Sequence, residues 1–299
     1  MQSTAVADAA RSLPIGNTVR EIMQVAWSGI GRWAVVALIA LVLQCAIVFL
    51  LIPAILGGSV QGSSWWTSRA AQVITALLYI APATAWIRGV VAGNPPSGLQ
   101  FRWGARELMY ILRELQLGIF LGVLILLAAG LAIGVAKIVF LATGGSGEEA
   151  AGQMPSLLAG ISLEVLAVGL VGLIMWLSAD FLMMLPAAAN GDESTFRVSA
   201  DLTRHHRWQI VGIGLITSAI VLLVLLLISV IFAWLIYLLL PAGGRNPEYV
   251  AAADAVIVPW FATLVHATGL GCVYRRLSRP GESSLTQPLP SLGKPALSV

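Results

Sequence analysis

The sequence predicts an all-α polytopic membrane bundle of about six transmembrane helices, with amphipathic juxtamembrane helices on the cytoplasmic side and a three-fold hairpin repeat. Three observations carry this. Of 299 residues, 58% are hydrophobic and only 10% charged, whereas soluble domains carry roughly 25% charge because water-facing surface must be solvated. The charges are gathered into short islands between long apolar runs, the arrangement of a chain whose solvent is lipid. The runs are continuous, as over 220–231, where a β-barrel would alternate in segments of about ten residues. A mean hydropathy of +0.89 agrees.

Crossing ~30 Å of hydrocarbon takes about 20 helical residues. Segments of that length lie near 33–56, 70–91, 115–141, 157–185, 209–240 and 251–274. Backbone N–H and C=O groups in lipid must be satisfied within the segment, so these are helices. Residues 1–17 read as a flexible leader and 18–278 as the six-helix transmembrane domain. The tail 279–299, rich in Pro and Ser without apolar periodicity, reads as disordered. No cleaved signal peptide is expected, because mostly polar or small residues precede the first apolar run.

Orientation follows from the basic residues. With the N-terminus inside, the inner regions hold Arg11, Arg20, Arg32, the arginines of 88–113 and 197–207, and every basic residue from Arg275 on. Only Arg69, Lys137 and Arg245 fall outside. Under the positive-inside rule both termini are cytoplasmic, and the expected location is a bacterial inner membrane.

Three stretches before spanning segments have helical periodicity. Val19, Ile22, Ala26, Ile30 and Trp33 form one stripe, and Phe101, Ala105, Leu108, Leu112 and Leu115 another. Before the fifth span, Asn190-Gly191 signals a turn, and Asp192 or Ser194 is expected to cap a helix running to Arg207. The run Phe101-Arg102-Trp103-Gly104-Ala105 matches Phe196-Arg197-Val198-Ser199-Ala200. The chain therefore reads as three units, each an inner amphipathic helix and a two-helix hairpin. Such helices lie in the interface plane.

Leu185-Pro186-Ala187-Ala188-Ala189, then 196–204 and Arg207-Trp208-Gln209-Ile210, resemble a run in bacterial membrane proteins described as glycerophosphodiester phosphodiesterase membrane domain-like. The stretch 98–108 is similar to the equivalent run in uncharacterised alphaproteobacterial proteins of that type. The resemblance implies a membrane domain only. The named activity belongs to a separate catalytic barrel with His and acidic metal ligands, for which this chain has no soluble segment. No catalytic residue carries over.

Intramembrane polar residues are the remaining candidates, since a carboxylate at the bilayer centre costs about 2.5–3.5 kcal/mol on insertion scales. Glu164 and Asp180 are sixteen positions apart in the fourth span, about 160° round the helix and over roughly 20 Å along it. They cannot share a proton. Glu164 is matched in depth to Lys137, an expected ion pair. Asp180, His266 and Arg88 would make a titratable polar site in the inner half if they converge.

Arg102, Arg106, Arg113, Arg197, Arg204 and Arg207 are candidate contacts for anionic lipid. His205-His206 is a poor chelate, because adjacent helical residues diverge. Cys45 and Cys272 are read as packing residues. Trp27, Trp33, Trp86, Trp103 and Trp208 are placed in an interfacial aromatic belt, with Trp65-Trp66 outside. The pairs Gly130 with Gly134 and Gly212 with Gly214 would permit close helix approach.

A net charge of +3 and a pI near 9.1 reflect the inner arginines rather than nucleic-acid binding. No catalytic constellation, cofactor or metal site is expected. The leading functional expectation is a non-enzymatic scaffold, assembly or envelope-homeostasis component that contacts anionic lipid and a protein partner or a second copy. The alternative is a transporter or transport subunit for a lipid or small solute.

Overall fold

The computed structural model describes residues 13–48, 65–142, 172–192, 194–239 and 247–278. Regular structure among them is helical. In chain order the helices are α1 (Ile15–Val36), α2 (Leu38–Ala46), α3 (Trp65–Val91) and α4 (Ala105–Ala142), then α5 (Gly172–Asn190), α6 (Phe196–Thr203), α7 (Arg207–Leu239) and α8 (Pro247–Ser278). Five of them, α3, α4, α5, α7 and α8, are long and apolar enough to cross a membrane. The pair α1 and α2, bent by 66°, is a sixth if counted as one span. The expected count of about six therefore stands as five or six.

Burial divides the spans into two kinds. In the most apolar windows of α4 and α7 only 11% is buried, against 56% in α3, α5 and α8. The bundle is built round α3 and α8, with α1 and α5 against them. The outward faces of α4 and α7 carry Ile119, Val123, Leu126, Leu127, Leu222, Leu223, Leu226 and Leu227, all exposed. Continuous apolar surface of this extent suits lipid rather than water.

The first amphipathic stripe is real, but it faces protein. Val19, Ile22, Ala26 and Trp33 are buried and Ile30 is packed on the core. They seat α1 against α8 and α7, while Arg20, Trp27 and Arg32 lie on the exposed face. Folded structure begins earlier than expected, with Leu13 buried and α1 starting at Ile15. Residues 1–12 and the tail 279–299 lie outside the described residues.

The second stripe is not a separate element. Phe101–Gly104 is non-helical, and from Ala105 a single helix runs through to Ala142. Nothing between Ala105 and Leu115 breaks a helix, so the amphipathic turns extend the span instead of bending into the interface. At 38 residues α4 is about 57 Å long, more than ~30 Å of hydrocarbon requires. Consequently Phe101–Ala105 and Phe196–Ala200 differ in conformation, the second lying within α6.

Asn190-Gly191 does make the turn, with Gly191 at φ 84° closing α5 in the left-handed conformation that favours glycine. The cap of α6 is Thr195, whose hydroxyl accepts from Val198 N–H. Asp192 and Ser194 have other partners, and α6 ends at Thr203.

Close helix approach occurs at one of the expected glycines, Gly212, and at others not expected. Gly130 and Gly134 have open space where a Cβ would stand, as does Gly214, while Gly212 receives Ile15 of α1. The tight contacts are Gly29 against the Trp86 ring and Gly271 against Val90.

Prolines lie inside α3 and α8, Pro82 and Pro259. Pro259 has no N–H, which leaves the Ala255 carbonyl one turn earlier without its helical donor. Gln44 supplies it, donating from Nε2 at 2.7 Å, and its own Oε1 accepts from Tyr79 Oη at 2.6 Å. One buried amide thus ties α2, α3 and α8. Beside it Trp33 donates to the Trp260 carbonyl at 3.2 Å, and Trp86 to the Thr268 hydroxyl at 2.9 Å. Both indoles are fully buried. They are core residues, not members of an interfacial belt; Trp27, Trp103 and Trp208 are exposed. The side chains of Trp65 and Trp66 lie outside the description.

Candidate functional site

The end of the bundle where α4 and α7 begin and α3, α5 and α8 finish carries almost all the described charge, and most of its acids are committed to structure. Glu21, on the buried face of α1, holds both arginines of the last turn of α8. Its carboxylate takes Arg275 on one oxygen and Arg276 on the other, the latter through Nε at 2.8 Å and Nη2 at 2.5 Å. Arg275 also donates to the Val90 carbonyl at 3.1 Å, satisfying the C-terminal end of α3. Three helices converge on one carboxylate.

Asp180, midway along α5, is a second hub. Arg207, the first residue of α7, binds it with two parallel bonds, Nε at 2.9 Å and Nη2 at 2.5 Å. The Thr203 hydroxyl adds a third at 2.5 Å, and Ser199 donates to the Asp180 carbonyl. The same guanidinium lies 4.4 Å from the centroid of Trp176, a cation–π contact that offsets part of its desolvation. The planar fork of Arg matches a carboxylate in a way Lys cannot.

The third acid is Glu107 at the start of α4. It accepts from the Gly104 N–H at 3.0 Å, half of a capping box, and from Thr84 and Arg88 at 3.1 and 3.2 Å. A fourth, Asp192, accepts from Tyr274 Oη at 2.8 Å and Asn190 at 2.6 Å. Arg113 donates to Ser194 at 3.2 Å and Gln116 at 2.7 Å.

The expected site of Asp180, His266 and Arg88 is therefore not assembled. In a poorly solvated setting each charge takes a close counter-ion, so Asp180 takes Arg207 and Arg88 takes Glu107. His266 belongs to a cavity that neither of them lines. Lys137 is exposed on α4, and Glu164, its expected partner, lies outside the described residues. Of the six arginines expected to meet anionic lipid, Arg207 is consumed by Asp180, and Arg113 is half-buried on neutral partners. Arg102, Arg106, Arg197 and Arg204 are exposed and have no hydrogen-bond or ion-pair partner among the described residues.

The cavity has a volume of about 560 Å³ and lies among α3, α4, α5, α7 and α8, with Ile22 of α1 also lining it. Its walls are mostly apolar, with Tyr110, Glu114, Thr217 and His266 among the polar residues. Tyr110 and Glu114 are one turn apart on the same face of α4. Glu114 and His266 are accessible and have no partner among the described residues. The Thr217 hydroxyl is buried without one.

Glu114 and Thr217 were not legible as site residues. Glu114 sits where the basic island gives way to the apolar run, and that boundary position was its only signal. His205 is exposed, and His206 contacts Gln209 at 3.1 Å. Cys45 and Cys272 are free thiols. No cluster of three or more metal-ligating side chains occurs among the described residues. The chain matches no protein-family model, no curated protein and no solved structure.

Proposed function

We propose that this protein is a non-catalytic, multi-pass component of a bacterial inner membrane whose arginine-rich end, on the cytoplasmic side, engages anionic lipid headgroups. In this reading it serves as a scaffold, assembly or envelope-homeostasis element, with a protein partner or a second copy completing it.

The observation that carries the proposal is the division of the cations at that end. The arginines that stitch helices together are paired with Glu21, Glu107 and Asp180. Arg102, Arg106, Arg197 and Arg204 are left exposed and unpaired among the described residues. Their charge is available to an external anion. Near an anionic surface each basic residue contributes about 1 kcal/mol, roughly fivefold in affinity.

The test is lipid retention by the full chain in detergent, with phosphatidylglycerol competing against phosphatidylcholine. The wild type is expected to retain the anionic lipid preferentially, with salt weakening the preference. A variant carrying Gln at all four positions should keep its fold and lose the preference. Equal retention of the two lipids by the wild type overturns the proposal.

A second reading, a carrier for a lipid or small solute, is favoured by the cavity beside α7. Uptake of a probe into proteoliposomes would distinguish it, since a scaffold moves nothing.

A further inference from the structure

We infer that the cavity among α3, α4, α5, α7 and α8 is a binding site for a single-chain amphiphile whose head donates hydrogen bonds, an alkylammonium being the best match. The inference rests on the cavity alone. It stands or falls separately from the lipid-surface reading, which concerns arginines that do not line it.

The volume of about 560 Å³ lies within the range of about 300–1,000 Å³ typical of small-molecule sites. Most of the lining is hydrocarbon, from Ile80, Ile213, Val221, Leu225, Leu270 and Val273 among others. That surface accepts a chain. The polar groups decide the head. Glu114 lines the cavity, and no Lys or Arg among the described residues does. The adjacent guanidinium of Arg113 is engaged elsewhere, on Ser194 and Gln116.

An anionic head would therefore meet a like charge without a cation to offset it. An ammonium would find a counter-ion that the protein itself does not supply. His266 offers an accessible imidazole without a partner among the described residues. Unsatisfied polar groups in an apolar setting are costly, and a hydrogen-bonding ligand head removes that cost.

The route of entry also favours an amphiphile. The cavity lies between α4 and α7, the two helices with the greatest exposed apolar surface, and no substantial packing joins them among the described residues. A solute partitioned in lipid reaches such a site sideways.

The test uses the full-length protein in phosphatidylcholine nanodiscs and three photoreactive probes of one chain length: a dodecylamine, a dodecanol and a laurate, each with a diazirine in the chain. The amine is expected to label peptides covering 210–225 and 262–273 saturably, and unlabelled dodecylamine should compete. Glu114→Gln should weaken amine labelling about tenfold, the scale of a lost charge-assisted hydrogen bond, and leave dodecanol labelling unchanged.

Gly214 lines the cavity and has open space for a side chain, so Gly214→Phe should abolish saturable labelling by all probes. Gly122→Phe is the control; Gly122 also has open space but lies outside the cavity. Size-exclusion profiles report folding of each variant. Non-saturable labelling spread over the outer face of α7 overturns the site. Laurate labelling equal to or stronger than amine labelling overturns the assignment of the head, as does an unaffected Glu114→Gln. Adducts confined to a neighbouring copy would show that a second chain occupies the cavity instead, which also overturns it.

Discussion

Replacing Glu21 by Gln should destabilise the bundle more than any other single charge change at this end. The Glu21 side chain is 4% exposed, and the side chains of Arg275 and Arg276 are 16% and 15% exposed. Gln keeps the shape but not the charge, and its amide nitrogen is a donor facing donors. Two largely buried guanidiniums would be left without an anion, in the region where α1, α3 and α8 meet. Removing one partner of a buried ion pair costs about 3–5 kcal/mol, which for a domain of this size corresponds to a fall in Tm of roughly 6–20 °C.

Arg88→Gln supplies the internal comparison. Arg88 is 30% exposed and makes one bond at 3.2 Å, so its loss should cost about 1 kcal/mol or less. The assay is thermal unfolding of both variants in one detergent, followed by near-ultraviolet circular dichroism. Adding Arg275→Met and Arg276→Leu to Glu21→Leu should recover most of the loss, because an apolar replacement of a whole buried cluster is often neutral or better. If Glu21→Gln costs no more than Arg88→Gln, burial of the pair is not what makes it matter and the reasoning fails.

Three further outcomes are expected. Gly29→Ala places a Cβ 2.8 Å from the Trp86 ring and should cost about 1–3 kcal/mol by overpacking, whereas Gly130→Ala, with open space around it, should be neutral or slightly stabilising in thermal unfolding. Gln44→Leu strands the Ala255 carbonyl and should cost about 1–3 kcal/mol; Pro259→Ala restores a helical N–H to that carbonyl, so a double-mutant cycle between 44 and 259 should show coupling of at least about 0.5 kcal/mol. Gln at Arg102, Arg106, Arg197 and Arg204 together should shift Tm by less than about 2 °C while removing anionic-lipid preference, separating the exposed cations from the structural ones.

The helical class and the span count were legible because lipid imposes them on composition and run length. Periodicity likewise gave the stripe Val19, Ile22, Ala26, Ile30 and Trp33. What it could not give was the partner: a stripe that suits a lipid surface suits another helix equally well, and α1 uses it against α7 and α8. Trp33 and Trp86 were misplaced for a related reason. Position along the chain gives depth, but whether a ring points into the bundle depends on rotation about the helix axis.

Depth alone also misled the pairing of Asp180. Both Arg88 and Arg207 stand near its level, and only the packing of α5 against α6 and the start of α7 selects Arg207. Gly130 and Gly134 fit a close-approach spacing yet have no helix beside them in the described structure, whereas Gly29 works singly against one indole. The link between Gln44 and Pro259 spans more than two hundred residues. Its chemistry is simple, but only the fold brings the amide to the orphaned carbonyl.

The account depends most on lipid being the solvent of these helices, with the arginine-rich end facing the cytoplasm. Cysteine substitution at Gly98 and Lys137, in a background with Cys45 and Cys272 replaced, tests this with a membrane-impermeant maleimide on right-side-out and inverted vesicles. Lys137 stands 32 residues beyond the start of α4, about 48 Å along the axis, enough to clear the hydrocarbon. The account predicts Gly98→Cys labelled only in inverted vesicles and Lys137→Cys only in right-side-out ones. Labelling of both from the same side would contradict it.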